Sequence, residues 1–334
     1  VSDGLIRLER IGKQEQCHRR NSPTFNAMKA FQVRWVLLFP FLLAVLSLPA
    51  QTPAEWARTV NWDGYTHWSN YIRSVPRYMG PNALPIPFIG NGTTDSSTWI
   101  GTSLQGHFMS GDRTLSTVLY GNYCLVKELV SLDLSFIPVE YYRMSDALKK
   151  ERHVYYVNYN ESRARGDVFV NTRIRLLKRW EQQVQLALRI GFRLPASSGL
   201  GAARFSDAMG YYVDVSAGKP LSHNWKWIAM AGIYVWQMEG VGYRQNDAFL
   251  FGTGLEWNHR GWLFQGYAAG YLGYMYGTGD KPIVLRSQLE KRSGNHSFVL
   301  RLQQGIQDFR YSSVEVGARH FVRHRPFRLA TSHP

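Results

Sequence analysis

The chain has 334 residues, a net charge of +15 and 14 % aromatic residues, with only two cysteines. Its mean hydropathy is slightly polar, and no apolar run after Leu48 is long enough for a spanning helix, so a helical membrane bundle is excluded. Cys17 precedes the export signal described next, which leaves Cys124 alone in the mature chain and excludes an intramolecular disulfide.

In chain order, residues 1–27 are polar and aperiodic and are expected to be an unstructured upstream over-extension. Met28, Lys29 and Arg34 then lead into the apolar run Trp35–Leu48 and the small-residue site Pro49-Ala50. Basic, apolar and small-residue regions in that order form a signal peptide over 28–50. Residues 51–97 carry Trp56, Trp62 and Trp68 with Tyr65, Tyr71 and Tyr78, then a Pro-rich run. They do not alternate, and are expected to be a periplasmic lead-in or a plug in a barrel mouth.

From Thr98 onward strand follows strand. The expected strands are 98–110, 113–126, 128–143, 166–179, 181–195, 208–220, 224–239, 246–259, 261–276, 281–292, 295–308 and 311–323. The clearest are the fourth and fifth. Val168, Val170, Thr172, Ile174 and Leu176 share one parity against Asp167, Asn171, Arg173 and Arg175. Val184, Leu186, Leu188, Ile190, Phe192 and Leu194 oppose Gln183, Gln185, Arg189 and Arg193. A period of two belongs to a strand. The strands over 224–239 and 261–276 are apolar or aromatic on both faces, with small residues at Gly266, Ala268, Ala269 and Gly270 that imply a closely packed wall. Connections alternate in length: the even-numbered ones are short and the odd-numbered ones longer, with a charged stretch at 144–165. Long alternating strands, an even count and this loop parity predict an all-β fold: a closed antiparallel transmembrane barrel of about twelve strands over 98–323, with short periplasmic turns and longer extracellular loops, in the bacterial outer membrane. A basic tail, 324–334, follows.

Parity also predicts an inside. Arg173, Arg175, Arg189, Arg193, Arg286, Glu290, Arg292, Arg301, Glu315 and Arg319 are the expected pore-lining residues, and the basic excess among them favours anions by electrostatic focusing. The expected function is a passive channel for small solutes, anionic or aromatic. The alternatives are a non-conducting structural or binding barrel and a lipid-modifying enzyme. A lipid hydrolase needs a serine beside a histidine. His296-Ser297 is the nearest pair, but adjacent strand residues face opposite ways, so no catalytic residue is assigned. No cofactor or metal site is expected: His320 and His324 are four apart, without a cysteine pair or a His-Glu-x-x-His motif. Expected partners are outer-membrane lipid and lipopolysaccharide, a small-molecule solute and the barrel-assembly machinery. Nucleic acid is excluded for want of a basic helix or an RNA-binding signature.

One stretch resembles a known family. Gly166-Asp167-Val168, Arg175-Leu176-Leu177 and Arg189-Ile190-Gly191-Phe192-Arg193-Leu194-Pro195 are similar to a strand–hairpin–strand unit of the MetA-pathway-of-phenol-degradation outer-membrane barrels. The family's Thr-Gly after Leu-Pro is Ala196-Ser197 here. The resemblance spans about thirty residues. It implies the barrel class and uptake of apolar or aromatic solutes, and it fixes no substrate.

Overall fold

A computed structural model describes residues 54–155, 161–176, 183–240, 243–273 and 280–323. The expected upstream segment, signal peptide and basic tail lie outside the described residues. The strands are β1 (Thr98–Met109), β2 (Asp112–Val126), β3 (Val130–Met144), β4 (Glu161–Ala164), β5 (Val168–Arg175), β6 (Gln185–Leu194), β7 (Gly210–Pro220), β8 (Trp225–Gly240), β9 (Tyr243–His259), β10 (Trp262–Gly273), β11 (Ile283–Ser293), β12 (His296–Gln307) and β13 (Ser312–Val322). Each pairs antiparallel with its neighbour in the ring, and β1 pairs with β13, so the sheet closes on itself. Strands β4 and β5 both lie along β3, at its two ends, and act as one interrupted stave. The barrel therefore has twelve staves built from thirteen strands.

Of the expected fourth strand, 166–179, β5 covers 168–175, residues 177–179 lie outside the described residues, and Gly166 and Asp167 stand before the strand rather than in it. The reason lies at Asp167. Its carboxylate accepts the amides of Ala196 and Ser197 and the Nε of Arg193, which draws the chain out of the ladder between β4 and β5. Opposite this break β3 is irregular too. Its register with β2 shifts between Thr117 and Leu119, and Pro138 supplies no amide. The bulge flips parity: Ser131, on one side of it, and Glu140, on the other, are both buried inside the barrel.

The two faces differ in chemistry. Ile100, Leu104, Leu115, Ile233, Phe298, Leu300 and Val316 lie exposed on the outside. A closed barrel with a largely apolar outer band and charged groups inside is a membrane barrel, since the closed ladder pairs the backbone and lipid meets mainly apolar side chains. Trp225, Trp227 and Trp262 stand exposed at the short-turn end, where aromatic rings suit the membrane–water interface. Among the described residues no helix is long and apolar enough to cross a membrane. The short-turn end carries compact reversals such as Arg260-Gly261, both at positive φ (48° and 78°), as a two-residue hairpin requires. The opposite end carries the long connections. The expected loop 144–165 contains helix α2 (Asp146–Arg152), capped by the Ser145 hydroxyl and ended by His153 in the left-handed region.

Residues 54–94 are not staves. Helix α1 (Ala54–Val60) and the turn at Trp68–Tyr71 pack at the long-loop end. Trp56 donates its indole N–H to the His153 carbonyl at 2.8 Å, and Trp68 stacks on Tyr155 with ring centroids 4.5 Å apart. The chain then runs down the inside of the barrel. Met79, Ala83, Leu84 and Ile86 are buried against Ile228, Met230, Tyr234, Leu250, Ala269 and Tyr271 of β8, β9 and β10. This explains why those strands are apolar on both faces: one face meets lipid and the other meets the internal segment.

Candidate functional site: the barrel lumen

The internal segment forms no ladder with the wall and is held mainly by side-chain hydrogen bonds, with one backbone bond at its long-loop end. Near the long-loop end the Gly80 amide donates to Ala203 O at 2.7 Å. Asn82 Nδ2 donates to Glu140 Oε2 at 2.8 Å and to Ser116 Oγ at 3.1 Å. Lower down, wall donors reach the segment's carbonyls. Tyr234 Oη donates to Pro85 O at 3.0 Å, Arg286 Nη1 to Pro87 O at 3.2 Å and Arg189 Nη1 to Phe88 O at 2.8 Å. Pro81, Pro85 and Pro87 suit this arrangement, because a proline brings no amide that would need an acceptor on a donor-rich wall. At the short-turn end Asn91 Nδ2 donates to Glu256 Oε2 at 3.0 Å. Gly92 follows at φ 79°, so close to the Gln185 backbone that a Cβ would collide with it.

Above the segment lies a fully buried charge network. Asp112 accepts from Arg152 Nη1 at 2.9 Å, Arg204 Nη1 at 2.5 Å and Tyr311 Oη at 2.6 Å. Arg204 also donates through Nε to Glu140 Oε1 at 2.7 Å. Burial alone would lower the Arg204 pKa, but Glu140 and Asp112 outweigh it and hold the group charged. Strands β2 and β3, helix α2, the 195–209 loop and the 308–311 loop are thereby tied together over Asn82.

The sequence-predicted residues fall as follows. Arg189 pairs with Asp214 at 2.7 Å, and Arg193 Nε with Asp167 at 2.6 Å. Arg173 pairs with Asp133 at 2.6 Å, and Arg175 lies 3.9 Å from Glu128 at the short-turn end. Arg301 pairs with Glu315 at 2.6 Å, and Arg319 with Glu290 at 2.8 Å. Arg286 donates to Gln303 at 2.5 Å, lies over the Phe88 ring and, among the described residues, has no carboxylate within ion-pair distance. Arg292 is exposed at the short-turn end, 3.9 Å above the Phe321 ring. The sequence reading missed Asp112, Asp133, Glu140, Asp214 and Glu256 as inward acids, and it placed Asp167 on the parity of Arg173 without naming it among the pore-lining residues. The basic excess it derived is largely neutralised by these acids. Asp133 and Glu140 sit on either side of the β3 bulge, where a single parity cannot place both.

Beside the internal segment a cavity of about 340 Å³ remains, lined among others by Trp99, Tyr120, Asp133, Arg173, Arg301 and Arg319. His296 and Ser297 face opposite ways: Ser297 is buried inside, whereas the His296 ring lies exposed beside His320, Nδ1 to Nδ1 3.4 Å. Among the described residues no three His, Cys, Asp or Glu side chains could hold a metal ion together.

Fold and surface define the class: the chain is a bacterial outer-membrane β-barrel. Its architecture is similar to the COG4313 outer membrane channel from Pseudomonas putida F1, with a TM-score of 0.54 and 10 % identity over 71 % of this chain and all of that one. Weaker likenesses are to the NanC porin (TM-score 0.44, 9 % identity, 66 % of this chain and all of that one) and to the CymD monoaromatic hydrocarbon channel (0.38, 8 %, 69 % and 90 %). No protein-family model and no curated protein matches the sequence.

Proposed function

We propose that the protein is a passive outer-membrane channel for small solutes, closed in this conformation by its own residues 79–94 acting as a plug. The observation that carries this reading is the mode of attachment. The segment joins no β-ladder and is held mostly by side-chain hydrogen bonds, wall donors to its carbonyls and Asn82 and Asn91 to wall groups, with a single backbone bond at Gly80, so it can leave without breaking the barrel. With the segment displaced, Arg173, Arg175, Arg189, Arg193, Arg286, Glu290, Arg301, Glu315 and Arg319 line the path, and Arg292 stands at its short-turn mouth. Ion pairing reduces the anion preference implied by the arginines and leaves Arg286 as its main source. Trp99, Tyr120 and Phe88 add apolar ring surface for aromatic solutes, and the fold is shared with an outer membrane channel. A hydrolase is disfavoured, because His296 and Ser297 cannot act on one substrate from opposite faces of a strand. Lipopolysaccharide on the outside and the barrel-assembly machinery during insertion are the proposed macromolecular partners. Planar-bilayer recording of the purified protein tests the reading: it predicts rare openings to a small conductance. A silent barrel, with and without variants that loosen the plug, contradicts it, and a reversal potential favouring cations contradicts the anion preference.

A further inference from the structure

The outer wall carries a second feature that solute passage does not use. At the long-loop end a groove of about 500 Å³ opens on the outside of β1–β4. Its apolar floor is Phe108, Leu115 and Tyr141, and its rim is Arg113, Arg143 and Arg163. All six side chains are exposed. The Phe108 ring folds over Gly106, whose missing side chain keeps the floor low.

The arginines are neighbours by register. Arg113 on β2 is directly opposite Arg143 on β3, and Arg163 on β4 is opposite Tyr141, with its guanidinium 5.0 Å from that ring. Arg143 also faces position 161 in register, so Arg113 and Arg143 share one row, and Arg163 stands two residues along β4 in the next row, beside Tyr141. Like charges directly opposite one another in a sheet repel, and an anion placed between them turns repulsion into attraction. Two residues further down each strand, about 7 Å into the membrane, stand Leu115 and Tyr141, and the exposed Leu104 and Leu119 continue the apolar wall below. The groove thus sets Arg113 and Arg143, with Phe108 beside them, nearest the long-loop end, and Leu115 and Tyr141, with Arg163 beside them, one step deeper, at the end where outer-membrane barrels face outward.

We propose that this groove binds the phosphorylated glycolipid of the outer leaflet, its phosphate on Arg113, Arg143 and Arg163 and an acyl chain against Phe108, Leu115 and Tyr141. A planar guanidinium takes two phosphate oxygens at once, which suits three arginines better than three lysines. The assignment rests on the reading of the chain as an outer-membrane barrel with its long loops outside. It is independent of whether solutes cross the lumen.

The test uses the full protein in detergent, incubated with bis-phosphorylated lipid A, with lipid A stripped of phosphate, or with phosphatidylglycerol, and read by native mass spectrometry. The expected result is one retained lipid A, weak retention of the phosphate-free form, and retention reduced about tenfold or more in the Arg113→Gln/Arg143→Gln/Arg163→Gln triple variant. Should the triple variant not fold, as judged by heat-modifiable gel mobility, Arg113→Gln and Arg163→Gln singly are expected to lose about threefold each. Equal retention by wild type and variants, equal retention of the phosphate-free lipid, or a preference for phosphatidylglycerol overturns the site. Bilayer conductance measured on the same samples separates the two proposals. Lipid loss with unchanged conductance supports the groove. A wild type that binds lipid A and never conducts overturns the channel alone.

Discussion

Arg189 Nη1 donates to the main-chain oxygen of Phe88 at 2.8 Å, while its Nε holds Asp214 at 2.7 Å. One guanidinium therefore links two staves of the wall and the plug. Arg189→Gln is expected to leave Asp214 buried without its charge partner. Removing one member of such a pair costs about 3–5 kcal/mol, read as a lower urea midpoint for the barrel in micelles. Arg189→Met combined with Asp214→Leu is expected to recover much of that loss while leaving Phe88 O without its donor, so openings become frequent in a stable barrel.

Asn82 is the plug's polar anchor at the long-loop end. Asn82→Ala removes its bonds to Glu140 and Ser116. A hydrogen bond to a charged group is worth about 1.5–3 kcal/mol, so the open population is expected to rise roughly 10–100-fold. Opening frequency in single-channel records measures this, and an unchanged frequency contradicts the anchor role.

The outside is tested at Leu300, an outward residue near the middle of β12, opposite Leu289 and Val316. Leu300→Arg is expected to cost about 2–4 kcal/mol of folding free energy in lipid vesicles. The adjacent inward Arg301 is tolerated because Glu315 and Gln288 hold it. If position 300 accepts arginine without loss, the assignment of faces is wrong.

These two neighbours show what was legible in the sequence. Period-two alternation separated Leu300 from Arg301, and loop parity gave the barrel a direction, because both follow from local geometry repeated along the chain. The interruption at Asp167 was not legible, since it depends on Arg193 and on the amides of Ala196 and Ser197, about thirty residues away. The inward acids Asp133 and Glu140 were hidden by one extra residue in β3. The course of the internal segment did leave a signal. Strands β8 and β10 are apolar on both faces, and a barrel wall needs a second apolar face only when something apolar lies inside. Met79, Ala83, Leu84 and Ile86 are that counterpart.

Acidity acts at the long-loop end. Asp280 accepts the Arg77 amide at 2.9 Å, and Arg77 also lies 3.8 Å from Asp308, which in turn accepts the Lys281 amide at 3.0 Å. Burial pushes the Asp280 carboxyl up to about 6, with the Arg77 amide opposing the shift and Asp308 adding to it. An acid raised above its unfolded value stabilises the fold fully below that value, 3.8, and the contribution is lost as pH rises through about 6. The thermal midpoint is therefore expected to fall between pH 4 and 6 in the wild type and to fall less in Asp280→Asn. Parallel curves for the two proteins contradict this assignment.

The plug itself is tested most directly by locking it. A Cβ built on Gly90 lies 2.9 Å from the Ser216 Cβ of β7, within about 1 Å of disulfide geometry. Gly90→Cys/Ser216→Cys, with Cys124 replaced by serine, is then recorded in a bilayer. Silence when oxidised and openings restored by a reductant are the predicted result. Openings as frequent and as large with the disulfide formed as without it would show that residues 79–94 do not gate this barrel.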